Sequence, residues 1–315
     1  MDQIVTKPAL RIKTTGICNR SCSFCNEEGD MRTIGSVEAD AYFFECVHIL
    51  TQAFGIGRVM LTGGEPTIHP QFRKIVQGIN SLDISVTTNG IRQISMEEWV
   101  ALKGDGLRKM IVSIHDASPQ QMIRLETRSR QFGWAVQALE AQQHNLVAAC
   151  RAGMSVRVNT VAYHSRDQAL RVLDALHDLQ RQYQFEIRLL NDLANIERSQ
   201  QYIQDACQAL GATAVRTFRR AGSSNATVAW ETESGFRFST KMAYRYFFDP
   251  ICGDCPLKQR CHEGFYGIRL ERRLDDYWVR LCIYKHTPDV LMPWREFLGS
   301  VYAQQLKEVL ITEQR

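Results

Sequence analysis

Between residues 10 and 190, short apolar runs alternate with stretches of helical periodicity. Leu10-Arg11-Ile12-Lys13 alternates like a first strand, and further strands read at 57–62, 82–87, 109–114, 154–160 and 184–190. Helical segments read at 36–54, about 70–78, 95–104, 130–151 and 166–181. In the first of these, Phe43, Val47, Leu50 and Phe54 fall at helical spacing, and Ser36 with Glu38 and Asp40 reads as a capped first turn. Six strands alternating with helices predict a parallel sheet with helices outside and the chemistry at the strand C-termini. Periodicity does not by itself separate an open barrel from a doubly wound sheet.

Near residue 200 the pattern changes. Residues 198–210 read as a helix, 213–219, 226–230 and 235–239 as short strands, and 294–310 as a final helix. This divides the chain into a barrel domain, 1–200, and a smaller α+β domain, 201–315. A chain of 315 residues buries a substantial core, and 44 % hydrophobic with 23 % charged residues suits a folded soluble protein. A net charge of +4 suits an anionic substrate and gives no argument for nucleic acid. No apolar run is long enough to span a bilayer, and the first residues lack the regions of a signal peptide. A cytoplasmic protein is expected.

Seven of the ten cysteines fall in two sets. Cys18, Cys22 and Cys25 bring three thiolates around one centre. Thiolates select zinc, copper(I) or iron–sulfur centres, and a structural zinc wants four ligands where this set has three. Cys252, Cys255, Cys261 and Cys282 form a complete soft-metal set, which leaves structural zinc and iron–sulfur both open. Cys46, Cys150 and Cys207 sit singly in helical stretches and read as small core residues.

The spacing of Cys18, Cys22 and Cys25, with Phe24 before the third, resembles that of the radical S-adenosylmethionine (SAM) superfamily. Gly63-Gly64-Glu65-Pro66 follows a strand at the expected distance, and Thr87-Thr88-Asn89-Gly90 follows the next. The resemblance implies a partial (β/α)6 TIM barrel and a [4Fe-4S] cluster on Cys18, Cys22 and Cys25 with one open iron. That iron binds SAM, whose reductive cleavage gives methionine and a 5'-deoxyadenosyl radical. It implies that Gly63, Gly64 and Glu65 bind the SAM amino group, and that a flavodoxin or ferredoxin supplies electrons.

More closely, the chain resembles the GTP 3',8-cyclase family of molybdenum-cofactor biosynthesis. Val112-Ser113-Ile114-His115 and Val156-Arg157-Val158-Asn159 match its strand-end motifs. The match implies that Thr87 and Ser113 contact SAM, that Arg157 pairs with its carboxylate, that Asn159 orients it, and that Leu193 packs near adenine. It also implies a second [4Fe-4S] cluster on the C-terminal cysteines. That family uses three cysteines there. Four would close the cluster, unless Cys261 stays free as a hydrogen-atom donor.

Arg11 and Arg269 match arginines that bind the cyclase's triphosphate, whereas a neighbouring arginine is replaced by Gly267 and the C-terminal glycine pair is absent. The expectation is a relative with another substrate, a small polar or anionic, nucleotide- or sugar-like metabolite that is cyclised, epimerised, oxidised or rearranged, with His115, Tyr266, Arg269 and Cys261 as candidate catalytic groups and Arg11, Arg269 and His115 as substrate contacts. A peptide-modifying enzyme is the alternative, although 17 residues before Cys18 leave no room for a peptide-recognition domain. A non-enzymatic iron–sulfur or zinc module is the third reading.

Overall fold

The computed structural model describes residues 3–25, 35–241 and 245–313. Its strands are β1 (Gln3–Thr6), β2 (Ala9–Thr15), β3 (Arg58–Gly63), β4 (Asp83–Thr88), β5 (Leu107–Ser113), β6 (Ser155–Ala162) and β7 (Glu186–Asn191), then β8 (Thr213–Arg220), β9 (Ala226–Glu231), β10 (Arg237–Lys241), β11 (Arg269–Arg273), β12 (Asp276–Arg280) and β13 (Leu291–Pro293). All thirteen join one sheet, in the order β1-β8-β9-β10-β7-β6-β5-β4-β3-β2-β11-β12-β13. The middle six, β2 to β7, are parallel and lie in chain order. That is the partial six-unit barrel. Strands from beyond residue 200 extend it at both edges.

The alternation of side chains along a strand sorts the two faces. Leu10, Ile12, Leu61, Val86, Val158 and Leu189 point outward into one apolar core with Phe43, Val47 and Leu50 of the helix Ala41–Ala53. The opposite parity of the same strands carries Arg11, Lys13, Thr87, Arg157, Asn159 and Arg188. The barrel interior is therefore polar, and its wall is held from outside.

β1 lies at one end of the strand order but is joined to β2 by two residues, Lys7 and Pro8. Three peptide steps reach at most about 11 Å, so the sheet must curl until β1 comes up against β2. β1 is parallel to β8 and runs in the same sense as β7. Residues 3–15 thus form one bent strand whose first part bonds β8 and whose second bonds β3 and β11.

Several boundaries differ from expectation. The helix read at 36–54 begins at Ala41, because Asp40 is its N-cap, accepting from Phe43 N at 2.8 Å, while Ser36 bonds Thr15 Oγ1 at 2.8 Å instead. The segment 115–131 holds a short helix, Pro119–Arg124, capped by Ser118 with Pro119 in its first turn. The last helix breaks at Ser300 into Trp294–Gly299 and Val301–Glu313. Cys46 and Cys207 are buried and Cys150 is half-buried. Among the described residues no helix is long and apolar enough to cross a membrane.

Candidate active site

Parallel strands deliver their C-terminal loops to one end of the barrel, and the first cysteines sit there on the loop after β2. Cys18 and Cys22 are half-buried and Cys25 is exposed. The Arg20 amide donates to Cys18 Sγ at 3.4 Å, and Asn89 Nδ2 reaches the same sulfur at 3.7 Å. Burial pushes the Cys22 thiol up to about 12, and burial with the Glu65 carboxylate pushes Cys18 up too. A neutral thiol is what a buried cysteine without a cation prefers.

Two glycines let β3 end against this loop. Gly64 N donates to Thr15 O at 2.7 Å and Glu65 N to Ile17 O at 2.8 Å. A methyl on Gly64 would stand 2.1 Å from Ile17 O, and one on Gly63, whose φ is 131°, 2.4 Å from Thr15 O. Glu65 is fully buried. Its Oε1 accepts from Thr67 N, Thr67 Oγ1 and Thr88 Oγ1 at 3.0, 2.6 and 2.7 Å, and its Oε2 from Asn89 N at 2.6 Å. Burial raises its pKa, and the four donors pull the other way. The side chain that family matching assigns to SAM thus ties β3 to β4 and fixes Asn89.

The neighbouring strand ends are clamped in the same way. Gln142, on the helix Phe132–Arg151, donates to Asn89 O at 2.8 Å and to Ser113 O at 2.9 Å. Thr87 and Asn159 face inward on β4 and β6, and Asn159 lies beside Ser113 in register, its buried Oδ1 without a hydrogen-bond partner among the described residues. Leu193 follows β7, half-buried. His115 is buried. Its Nδ1 accepts from Val161 N at 3.1 Å and its ring meets Phe24 edge-on at 4.8 Å. Burial, helped by the Arg20 charge, drives its pKa down to about 3, so it is neutral with the proton on Nε2.

Deeper in the barrel the interior is dense in guanidinium groups. Arg11 on β2, Arg157 on β6, Arg188 on β7 and Arg220 on β8 lie close together: burial lowers the pKa of Arg157, Arg188 and Arg220, and the neighbouring guanidinium charges lower them further. Burial first, then Arg157, brings Arg188 down to about 9; burial first, then Arg11 and Arg157, brings Arg220 down to about 10. Glu186 stands 3.8 Å from Arg157 but also binds Lys109 at 2.7 Å. The Nε atoms of Arg157 and Arg220 are buried without a hydrogen-bond partner among the described residues. Arg269 pairs in register with Arg11 on the adjacent strand, and its guanidinium lies 5.9 Å from the Tyr266 ring. Lys241 stacks on the same ring at 4.6 Å and bonds Glu263 at 2.8 Å.

Cys252, Cys255, Cys261 and Cys282 line one small pocket beyond this chamber, with Lys258, Tyr284 and Lys285. Gly264 N donates to Cys261 Sγ at 3.3 Å and Lys285 N to Cys282 Sγ at 3.4 Å. Burial, then the charges of the other three cysteines, pushes Cys252 up to about 11, although the Phe248 hydrogen bond opposes. Among the described residues no three His, Cys, Asp or Glu side chains already stand in metal-holding geometry. The all-thiol donor sets with amides aimed at their sulfurs nevertheless suit iron–sulfur clusters in both places.

With this geometry in view, residues 12–187 match the family model described as the radical SAM superfamily, more than half of the chain. The chain belongs to the radical SAM superfamily. It is 31 % identical over 163 residues to the GTP 3',8-cyclase of Aquifex aeolicus, covering 48 % of this chain and 47 % of that protein. It is 39 % identical over 117 residues to a probable GTP 3',8-cyclase of Saccharolobus islandicus, covering 35 % of each. The match thus spans less than half of either relative. Among solved structures, anSMEcpe with bound AdoMet shares the fold across 98 % of this radical SAM chain and 84 % of its own, with a TM-score of 0.58 and 13 % identity. The same protein has been solved with AdoMet and a Kp18Cys peptide.

The cysteines, the glycines and Arg157 were candidates from the sequence; Gln142, Arg188, Arg220 and Lys241, which the structure places beside them or in the same chamber, were not. The signal for Arg188 was available: in Ile-Arg-Leu-Leu it breaks an apolar run at the parity opposite to buried Ile187 and Leu189.

Proposed function

We propose that this radical SAM enzyme acts on an anionic substrate held in the barrel chamber. The observation that carries the reading is the group of largely desolvated guanidiniums of Arg157, Arg188 and Arg220, with the Nε atoms of Arg157 and Arg220 without a hydrogen-bond partner among the described residues and little carboxylate to offset them. Buried arginines are stabilised by an anion that takes forked hydrogen bonds, so a phosphate or carboxylate group is the natural occupant. Arg11 and Arg269, side by side on β2 and β11, extend the same wall.

On this reading Cys18, Cys22 and Cys25 would hold a [4Fe-4S] cluster, which when bound would supply the electron for reductive SAM cleavage. Asn89 supports Cys18, while Gly63 and Gly64 keep the strand end flush with the loop. Thr87, Ser113 and Asn159 offer polar groups to SAM, and Asn159 Oδ1 has an acceptor to spare. The chamber arginines would hold the anionic group of the substrate. Cys252, Cys255, Cys261 and Cys282 would hold a second [4Fe-4S] cluster beyond the substrate, with Tyr266, Lys241 and Glu263 between. A small electron-transfer protein of the flavodoxin or ferredoxin kind is the donor.

A peptide substrate is the second reading. It is supported by the fold shared along almost the whole chain with anSMEcpe. An acidic side chain of the peptide would then meet the arginines.

The test is anaerobic. Reconstituted protein with SAM and dithionite should yield 5'-deoxyadenosine, and replacing Cys18, Cys22 and Cys25 by Ala should abolish it while the fold survives. Undiminished cleavage in the triple variant would end the assignment. Pyrophosphate or citrate should raise the melting temperature of the parent protein. If only an acidic peptide does so, the second reading replaces the first.

A further inference from the structure

The loop bearing the first three cysteines leans on residues 125–130, the link between the helices Pro119–Arg124 and Phe132–Arg151. Ser23 N donates to Leu125 O and Thr127 N to Ser21 O, both at 2.7 Å, and Cys22 forms an antiparallel bridge with Glu126. At the centre is the Glu126 carboxylate. Its Oε1 accepts from Arg20 Nε at 2.8 Å, and its Oε2 from Ser21 N at 2.8 Å and Ser21 Oγ at 3.0 Å. Cys22 Sγ lies 3.9 Å from Oε1. The side chain of Glu126 is 0 % exposed and that of Arg20 2 %. Arg130 approaches the second carboxylate oxygen at 3.8 Å and donates to Asn19 O at 3.0 Å.

A buried ion pair is an expensive way to fasten a loop, since apolar side chains of the same volume do so at equal or lower cost. What apolar packing does not supply is charge. Here one carboxylate and one guanidinium are desolvated against the loop and within reach of Cys22.

We propose that Glu126 and Arg20 are positioning residues that preset Cys22 and set the reduction potential of the cluster on this loop. The inference rests on reading Cys18, Cys22 and Cys25 as its ligands. Reduction adds one negative charge to the cluster. Glu126→Gln leaves the Arg20 cation uncompensated beside it, so the midpoint potential should rise. Arg20→Met leaves the carboxylate, so it should fall. The double variant should return towards the parent. A purely mechanical clamp would move both single variants alike.

The experiment measures the midpoint potential of the reconstituted cluster by EPR-monitored titration without substrate, together with iron and sulfide content. Potential shifts of opposite sign support the proposal; shifts of the same sign, or none with iron retained, overturn it. Where a variant loses its iron, Glu126→Asp and Arg20→Lys keep the charges and should restore both iron and a parental potential; failure to restore them counts against it. The positioning half is read on metal-free protein by mapping N-ethylmaleimide labelling of Cys22. Glu126→Gln should speed labelling roughly tenfold, the equivalent of one charge-assisted hydrogen bond. Unchanged labelling refutes it. A parent that takes up no iron on these cysteines overturns the cluster reading itself, and the labelling arm still decides whether Glu126 holds the loop.

Discussion

Arg188→Met should make the protein more stable and less able to hold an anion. Arg188 sits inward on β7, where burial and the Arg157 charge bring its pKa from the ordinary arginine value down to about 9. Keeping it charged at neutral pH therefore costs about 5 kcal/mol, at 1.36 kcal/mol per tenfold change in proton affinity. The group is partly exposed, and solvent screening reduces this to about 2–3 kcal/mol. Among the described residues it forfeits a long hydrogen bond from Nε to Ser239 Oγ at 3.4 Å, worth about 0.5 kcal/mol, and a weak attraction to Glu186. Methionine keeps the aliphatic stem. The expected net gain is about 2 kcal/mol, or about 3 °C in Tm for a chain of this length. Pyrophosphate at 100 times its Kd should add about 2.7 kcal/mol to the parent and much less to the variant. The assay is thermal unfolding of metal-free protein with and without pyrophosphate. A variant that melts below the parent and gains as much from pyrophosphate would refute the idea that these guanidiniums are held apart for an anion.

Gly64→Ala should displace the cysteine loop, because the added methyl meets Ile17 O at 2.1 Å and neither backbone can yield cheaply; two hydrogen bonds and local strain amount to about 2–5 kcal/mol. Iron uptake at the first cysteine set should fall with it, and wild-type uptake would count against the close-approach argument. His115 is held neutral, with a folded pKa of about 3 against an ordinary 6.5. The unfolded chain therefore binds the extra proton between those values, and stability declines as pH falls through that window. His115→Gln should flatten this part of the pH–stability curve, and a curve unchanged by the substitution would show that another group governs it. Reconstituted protein should carry about eight irons in two clusters. Replacing Cys252, Cys255, Cys261 and Cys282 by Ala should leave about four, whereas one zinc with four irons would remove the second cluster.

The six barrel strands were legible within about two residues because their alternation of apolar outward and polar inward positions is local. The helix Pro119–Arg124 was not, since six residues carry too little periodicity to stand out beside the long helix that follows. β11 to β13 were not legible because strands of three to five residues carry too little alternation to stand out, and Arg269–Arg273 pairs with β2 through hydrogen bonds no sequence pattern announces. The cysteine loop was legible as chemistry. Its support was not: Glu126 and Gln142 lie 104 and 53 residues from the partners they hold. Nothing in their immediate neighbourhood marks them. The arginine chamber falls between these cases, with parity visible on each strand but convergence set only by the curl of the sheet.

The bend at Lys7 and Pro8 has a consequence for biosynthesis. β1 pairs with β8, Gln3 opposite Thr217. At the usual pace of translation, β1 waits roughly 10–40 s for that partner to emerge. Every barrel strand from β2 to β7 is made before the first four-residue strand has anything to pair with. The long sequence separation makes this closure a slow, late step. For that interval the nascent barrel is an unsealed cup, and its basic lining faces whatever anions surround the ribosome.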